Sequence, residues 1–158
     1  MKAPAQRGFS LIELLVTLAL ISLFATMALP LAELAVKRSQ EAELRTALRQ
    51  IREALDAYKQ AADEGRVLIR PGDSGYPKTL EMLVEGVVDN KSPEKSMIYF
   101  LRRIPRDPLA DPQLKPQDGW GKRSYKSPHD RPRAGEDVYD VYSLSSETGM
   151  NGVRYAEW

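Results

Sequence analysis

At 158 residues, the chain has the size of one modest domain with an additional segment. Its 23 basic and 22 acidic side chains nearly cancel, which indicates neither a nucleic-acid partner nor a disordered acidic tail. It contains no cysteine, which excludes a disulfide framework and thiolate catalysis.

The N-terminal part of the chain is short, basic and then strongly apolar. Residues 1–8 read MKAPAQRG, and residues 14–32 carry no charge. At 1.5 Å per residue, a helix over residues 14–32 reaches roughly 28 Å, close to the hydrocarbon thickness of a bilayer. With residues 9–12 added, the segment is long enough to span. It is therefore a membrane helix or the apolar core of a signal peptide.

Two residues are unusual in this segment. An ionised carboxylate such as that of Glu13 costs roughly 2.5–3.5 kcal/mol inside a membrane, so such a residue usually has a function and a partner. Lys2 and Arg7 are poor partners, because in a helix they would lie outside the membrane. Pro30 removes a helical hydrogen bond at a cost of about 3 kcal/mol, although membrane helices tolerate proline where neighbouring groups satisfy the freed carbonyl.

The run RGFSLIELLVTLALISLFATMALP resembles the N-terminal signature of type IV prepilins and pseudopilins. The matching residues are Gly8 at the end of a basic leader, Phe9 as the first mature residue, Glu13 as its fifth, and Pro30. The resemblance implies that a prepilin peptidase cuts between Gly8 and Phe9 on the cytoplasmic side and that Phe9 is N-methylated. It also implies that the Glu13 carboxylate meets the N-terminal amine of a neighbouring subunit in a filament.

A secretory signal peptide is the alternative for the same segment. Residues 26–28, Thr-Met-Ala, have the small residues that a signal-peptide cleavage site requires, and the mature chain would then begin at Leu29. Glu13 argues against a signal peptide, because the apolar core of a signal peptide rarely carries a carboxylate. Basic residues lie on both sides of the segment, so they do not set its orientation.

Beyond residue 30 the pattern becomes amphipathic. Apolar residues recur at steps of four, three, four and three, at Leu44, Leu48, Ile51, Leu55 and Tyr58. This spacing describes one helical face, and nothing breaks it before residue 62, so we predict a single helix of about 50 residues from Phe9. On its charged side, three oppositely charged pairs have i,i+4 spacing, namely Glu41–Arg45, Arg49–Glu53 and Arg52–Asp56.

Glycine and proline divide the rest of the chain. Gly65 ends the long helix, and a loop follows. Residues 79–85 predict a short helix closed by Gly86, and residues 93–102 predict another. Strands are predicted by segments rich in Val and aromatic residues at 120–125, 138–144 and 153–158. We therefore predict an α+β fold, in which a long N-terminal helix with a membrane half and an amphipathic half packs against a small antiparallel β-sheet.

Catalytic motifs are missing from this sequence. His129 lies in a Pro-, Arg- and Asp-rich loop without a second ligand or orienting group, and we interpret it as a solvated loop residue. Asp137 and Asp140 would face opposite sides of a strand and make no catalytic pair. The chain has no phosphate loop and no HExxH motif, so we expect no catalytic residue, metal or cofactor. We assign Tyr125, Tyr139, Tyr142 and Tyr155 to sheet packing.

Motifs in the globular part resemble, in order, those of the major pseudopilin of type II secretion systems. They are Tyr76-Pro77, residues 101–108 (LRRIPRDP), Trp120-Gly121 with Tyr125, residues 140–143 (DVYS) and Trp158. The resemblance implies a cleaved leader over residues 1–8, a transmembrane and filament-core half-helix over 9–33, and a periplasmic globular domain over 34–158.

The same resemblance implies a structural subunit and not an enzyme. Such a subunit passes once through the bacterial inner membrane, has its C-terminal domain in the periplasm, and sits in the lipid bilayer before assembly. Its partners are prepilin peptidase, the inner-membrane assembly platform, other pseudopilins, and copies of itself in a helical filament that helps to export proteins. A type IV pilus subunit, major or minor, and a secreted periplasmic binding protein or enzyme are the alternatives.

The final loop departs from that family. The family has an acidic calcium site there, and the corresponding positions hold Glu147, Val153 and Arg154. Calcium takes six to eight oxygen ligands, commonly including carboxylates, and one glutamate beside an arginine supplies too few. We therefore predict that the globular domain folds without calcium.

Overall fold

The computed structural model describes residues 9–158, except for the side chains of residues 27–29. Its helices are α1 (Leu11–Asp63) and α2 (Met82–Glu85), and its strands are β1 (Val87–Val88), β2 (Met97–Ile98), β3 (Trp120–Arg123) and β4 (Asp140–Ser143). Two 3-10 turns cover Pro116–Asp118 and Tyr155–Glu157. The predicted α+β fold, a long N-terminal helix with small antiparallel sheets, is confirmed.

Helix α1 changes character along its length. It is continuous over 53 residues and contains Pro30 without ending there, as the prediction of a single long helix requires. Every described side chain from Leu11 to Val36 is exposed, whereas Leu44 and Ile51 are fully buried. The chain divides into two compact units, Met1–Ser39 and Gln40–Trp158. The buried residues of the core all lie in the second unit.

The core of the second unit forms on the predicted apolar face of α1. Leu44, Leu48, Ile51, Leu55 and Tyr58 are all buried. The residues that cover them come from the later elements, namely Leu80, Leu83, Trp120, Val138, Val141 and Tyr155. A helix of this period buries its apolar stripe only when another layer lies against it. The later loops and short sheets supply that layer.

Gly65 ends α1 as predicted. Its φ of 72° lies in the left-handed region that glycine adopts without strain. The N–H of Arg66 donates to the carbonyl of Ala61 at 2.9 Å, which satisfies a helix-terminal carbonyl. The Arg66 side chain then donates two hydrogen bonds, at 3.0 and 2.6 Å, to Asp89 just after β1. These contacts fix the direction in which the chain leaves α1.

Two separate two-stranded sheets stand where the sequence predicted one. Strand β1 pairs antiparallel with β2, and β3 pairs antiparallel with β4, with Trp120 opposite Ser143 and Arg123 opposite Asp140. The predicted strands at 120–125 and 138–144 are therefore confirmed in type, with shorter bounds. The predicted helix at 79–85 is confirmed only over Met82–Glu85.

The helix predicted at residues 93–102 is wrong. Lys95 has a φ of 50°, which a right-handed helix does not allow, and Met97–Ile98 forms β2. The N–H groups of Phe100 and Leu101 both donate to the carbonyl of Leu83, at 3.0 and 2.9 Å. Pairing with β1 and α2 therefore satisfies this backbone better than its own helical bonds.

The strand predicted at residues 153–158 is also wrong. It is reduced to one bridge between Thr148 and Arg154, and the 3-10 turn Tyr155–Glu157 follows. The Tyr155 and Trp158 rings pack edge to face with centroids 5.0 Å apart. This ring contact requires a turn, because residues three apart on a strand point to opposite faces.

Candidate functional site

The first half of α1 is apolar on every side. A window of 18 residues has a mean hydropathy of 2.3, and none of it is buried. Among the described residues, α1 is the one helix long and apolar enough to cross a membrane, by length and composition. Leu11 is 79% exposed and Phe24 69% exposed, and large apolar side chains of this kind need lipid or protein around them.

The polar groups within this half are suited to an apolar environment. The hydroxyls of Thr17, Ser22 and Thr26 each donate to a carbonyl oxygen three or four residues earlier, at 2.7–3.0 Å. A hydroxyl satisfied by its own helix needs no water, so it does not oppose burial in lipid. Between Leu11 and Ala32, the one charged side chain is therefore the carboxylate of Glu13.

Glu13 lies in the first turn of α1. Its side chain is exposed, and within residues 9–158 it makes no hydrogen bond or ion pair. Backbone N–H groups at a helix N-terminus favour a carboxylate by about 0.3–1 kcal/mol, which offsets only part of the cost of placing it in lipid. Phe9 precedes the helix and is exposed, whereas the predicted cleavage partner Gly8 lies outside the described residues.

Glu41 has the spacing to pair with Arg45, but the sequence did not predict that Glu41 is buried. Its side chain lies on α1 but is only 6% exposed. One carboxylate oxygen, Oε1, accepts hydrogen bonds from the backbone N–H of Met150 at 2.7 Å and from the hydroxyl of Tyr155 at 3.1 Å. The other, Oε2, lies 3.9 Å from the guanidinium of Arg45. Glu41 lies three residues before Leu44 on the same helical face. An acidic residue at such an apolar-face position is the sequence signal from which its burial could have been predicted.

The residues that correspond to a calcium loop do not bring a cluster of acidic side chains together in the described structure. The side chains of Glu147, Val153 and Arg154 are all exposed. The loop closes on itself instead, because the N–H of Gly149 donates to the carbonyl of Val153 at 2.8 Å and the N–H of Tyr155 to that of Glu147 at 3.1 Å. Within residues 9–158, no group of three or more acidic, histidine or cysteine side chains is arranged to hold a metal ion.

Gly149 allows this loop to fold tightly. A Cβ atom at this position would lie 2.5 Å from the ring of Trp158 and 2.8 Å from the side-chain oxygen of Asn151. Real Cβ atoms do not approach that closely, so a larger residue would displace Trp158.

Arg52 does not form the predicted pair with Asp56. Its Nε donates to Asp140 at 2.8 Å, and its terminal nitrogen donates to the main-chain oxygens of Val141 at 3.2 Å and Trp158 at 2.8 Å. Planar guanidinium groups present several donors at once, so one side chain can hold two segments. Arg52 thus joins α1 to β4 and to the end of the Tyr155–Glu157 turn.

The predicted non-catalytic residues have structural contacts of their own. Asp137 accepts a hydrogen bond from the backbone of Tyr125 at 2.8 Å, so it and Asp140 bind different partners. His129 is exposed. Three tyrosine rings pack together with centroids 5.0–5.9 Å apart, those of Tyr76, Tyr125 and Tyr139. Tyr142 packs over Gly121 in the β3–β4 sheet, whereas Tyr155 belongs to the core beside Glu41 and not to a sheet.

A family model described as the prokaryotic N-terminal methylation motif matches residues 4–29. The match supports a type IV pilin-like protein, with prepilin-type processing, methylation and assembly into a pilin-like filament. With the apolar helix it is consistent with membrane anchoring, and with the fold it indicates a structural subunit rather than an enzyme. No curated protein and no solved structure matches the chain.

Proposed function

We propose that the chain is a structural subunit of a type II secretion pseudopilus. In this role it is cut between Gly8 and Phe9, methylated at the Phe9 amine, and assembled into a periplasmic filament that helps to export proteins. The observation that carries the proposal is the apolar half of α1, which is exposed on every side and in which Glu13 is the one charged residue between Leu11 and Ala32.

The apolar half has two environments in this proposal. Before assembly, residues 9–33 span the inner membrane and residues 34–158 lie in the periplasm. After assembly, the same surface packs against neighbouring copies of the chain and against other pseudopilins. Lipid tails are as apolar as leucine, so the hydrophobic effect alone does not move a helix from lipid into a filament. Another interaction must favour the filament.

Glu13 supplies that interaction. In lipid its carboxylate costs roughly 2.5–3.5 kcal/mol. Cleavage after Gly8 creates a new amine on Phe9, and the amine of one subunit can pair with the Glu13 carboxylate of the next. Pairing offsets part of the desolvation penalty that each charge carries alone. The carboxylate thereby favours the filament over the isolated subunit, with the inner-membrane assembly platform adding the subunits. Pro30 removes the helical donor to the Thr26 carbonyl and so gives the half-helix a place to bend as it packs.

A type IV pilus subunit, major or minor, is the second candidate. The observation that favours it over the major pseudopilin is the final loop, in which Glu147 is exposed and Val153 and Arg154 stand at the acidic positions. The ordered motifs of the globular part favour the pseudopilus. Two of them pair directly, since Trp120-Gly121 in β3 lies opposite residues of the 140–143 motif in β4.

The intact mass of the membrane-extracted protein tests the processing step. In a strain with active prepilin peptidase, we expect a chain that begins at Phe9 and carries one added methyl group. A matched control is Gly8→Leu, which we expect to remain uncut. A wild-type chain that begins at Met1 would refute processing, and one that begins at Leu29 would establish a signal peptide instead.

A further inference from the structure

We propose that three charged residues of α1, Glu41, Arg45 and Arg52, hold the C-terminal segment 148–158 in place without a metal ion. We call these three residues the α1 clasp. In the pseudopilins that the chain resembles, calcium organises the corresponding loop; in this chain a carboxylate on the helix replaces acids on the loop. The clasp has this role whichever filament the subunit joins.

Glu41 holds the segment at two points, Met150 and Tyr155. Its Oε1 accepts both the Met150 N–H at 2.7 Å and the Tyr155 hydroxyl at 3.1 Å. Glu41 and Tyr155 are both buried. A buried carboxylate is stable only when donors surround it, and donors buried with it need the same acceptor. Burial and the nearby Glu41 carboxylate also raise the pKa of Tyr155 to about 12, which keeps its hydroxyl a donor.

The arginines hold the end of the segment. Arg45 lies over the ring of Trp158, with 4.4 Å between its guanidinium carbon and the ring centroid. Arg52 donates to the main-chain oxygen of Trp158 at 2.8 Å. At 100° per residue, positions 41, 45 and 52 fall within about 40° of one another around the helix. The three charges therefore form one stripe that runs beside the apolar face.

The sign of the charges around this segment disfavours a calcium ion. A calcium loop gathers carboxylates around a cation, whereas this segment presents neutral donors to a single anion. Arg154 adds a positive charge where the family has acids, and the guanidinium of Arg45 lies 3.9 Å from Oε2 of Glu41. Both charges oppose the entry of a divalent cation.

Thermal melting and hydrogen exchange of the full-length chain in detergent micelles test the clasp. The variant is Glu41→Gln, which keeps the shape and removes the charge. The matched control is Glu43→Gln, because Glu43 lies two residues away on α1 and is exposed. We expect Glu41→Gln to lower the Tm by about 5–10 °C and to speed amide exchange in residues 148–155. Glu43→Gln should change neither.

The wild-type chain tests whether calcium stabilises the segment 148–158. Millimolar calcium and a chelator should both leave the Tm and the exchange of residues 148–155 unchanged. A Tm that rises by many degrees with calcium would overturn the proposal, and so would a Glu41→Gln variant that behaves like Glu43→Gln. If Glu41→Gln does not fold while Glu43→Gln does, the result supports the α1 clasp. Tyr155→Phe then measures the effect of losing one hydrogen-bond donor to Glu41. None of these measurements needs a filament, so they are independent of the processing test.

Discussion

The guanidinium of Arg52 offers a quantitative test of how α1 holds β4. The substitution Arg52→Met keeps most of the side-chain length and removes the hydrogen bonds to Asp140, Val141 and Trp158. Charge-assisted hydrogen bonds contribute about 1.5–3 kcal/mol each. The Arg52 side chain is 38% exposed, so solvent screens part of this sum. We expect Arg52→Met to lower the free energy of unfolding by about 2–3 kcal/mol.

Urea denaturation of the full-length chain in micelles measures this change, and two carboxylate variants test its origin. Asp140→Asn should remove much of the same stabilisation, and the double variant with Arg52→Met should lose less than the sum of the two. Asp56→Asn, at the partner position that the helical spacing favours, should change stability by less than about 0.5 kcal/mol. The assignment of Arg52 to Asp140 is refuted if Asp56→Asn costs more than Asp140→Asn.

Two further predictions concern Glu13 and Asp89. Glu13→Leu should insert into membranes more readily and yet assemble less well, because the insertion cost disappears together with the partner of a neighbour's amine; crosslinked multimers equal to wild type would contradict this. The hydrogen bond from Arg66 lowers the pKa of Asp89 in the folded protein. The ionised Asp89 therefore stabilises the fold fully above about pH 4, near the pKa of an aspartate in the unfolded chain. This stabilisation is lost as the pH falls through the lower pKa of the folded state. Stability measured from pH 7 to pH 3 should therefore fall less in Asp89→Asn than in wild type, and an equal fall would show that another group is responsible.

The long helix could be predicted from the sequence because its signals are local. The uncharged run over residues 14–32, the period of the Leu44–Tyr58 face and the stop at Gly65 are each defined within a few neighbouring residues. A helix closes its hydrogen bonds within one turn, so local patterns decide it. The methylation motif is likewise one continuous segment, residues 4–29.

The short elements could not be predicted in the same way. Residues 93–102 carry a weak helical pattern, but β2 forms there because β1 offers it a ladder. Residues 153–158 have strand composition, yet they turn because Tyr155 reaches Glu41 and packs against Trp158. Segments this short gain more from a neighbour than from their own propensity, and the neighbour is distant in sequence.

The sequence by itself therefore determined the methylation motif, the single long helix and the acid within its apolar half. Only the tertiary structure decided where the charges of the second half of α1 go. Helical spacing predicted only Arg45 as the partner of Glu41, whereas Met150 and Tyr155, more than a hundred residues later, also donate to it. Arg52 pairs with Asp140 and not with its expected neighbour Asp56. A burial pattern repeats along the chain and can be read locally, whereas the partner of a buried charge depends on which distant segment the fold brings beside it.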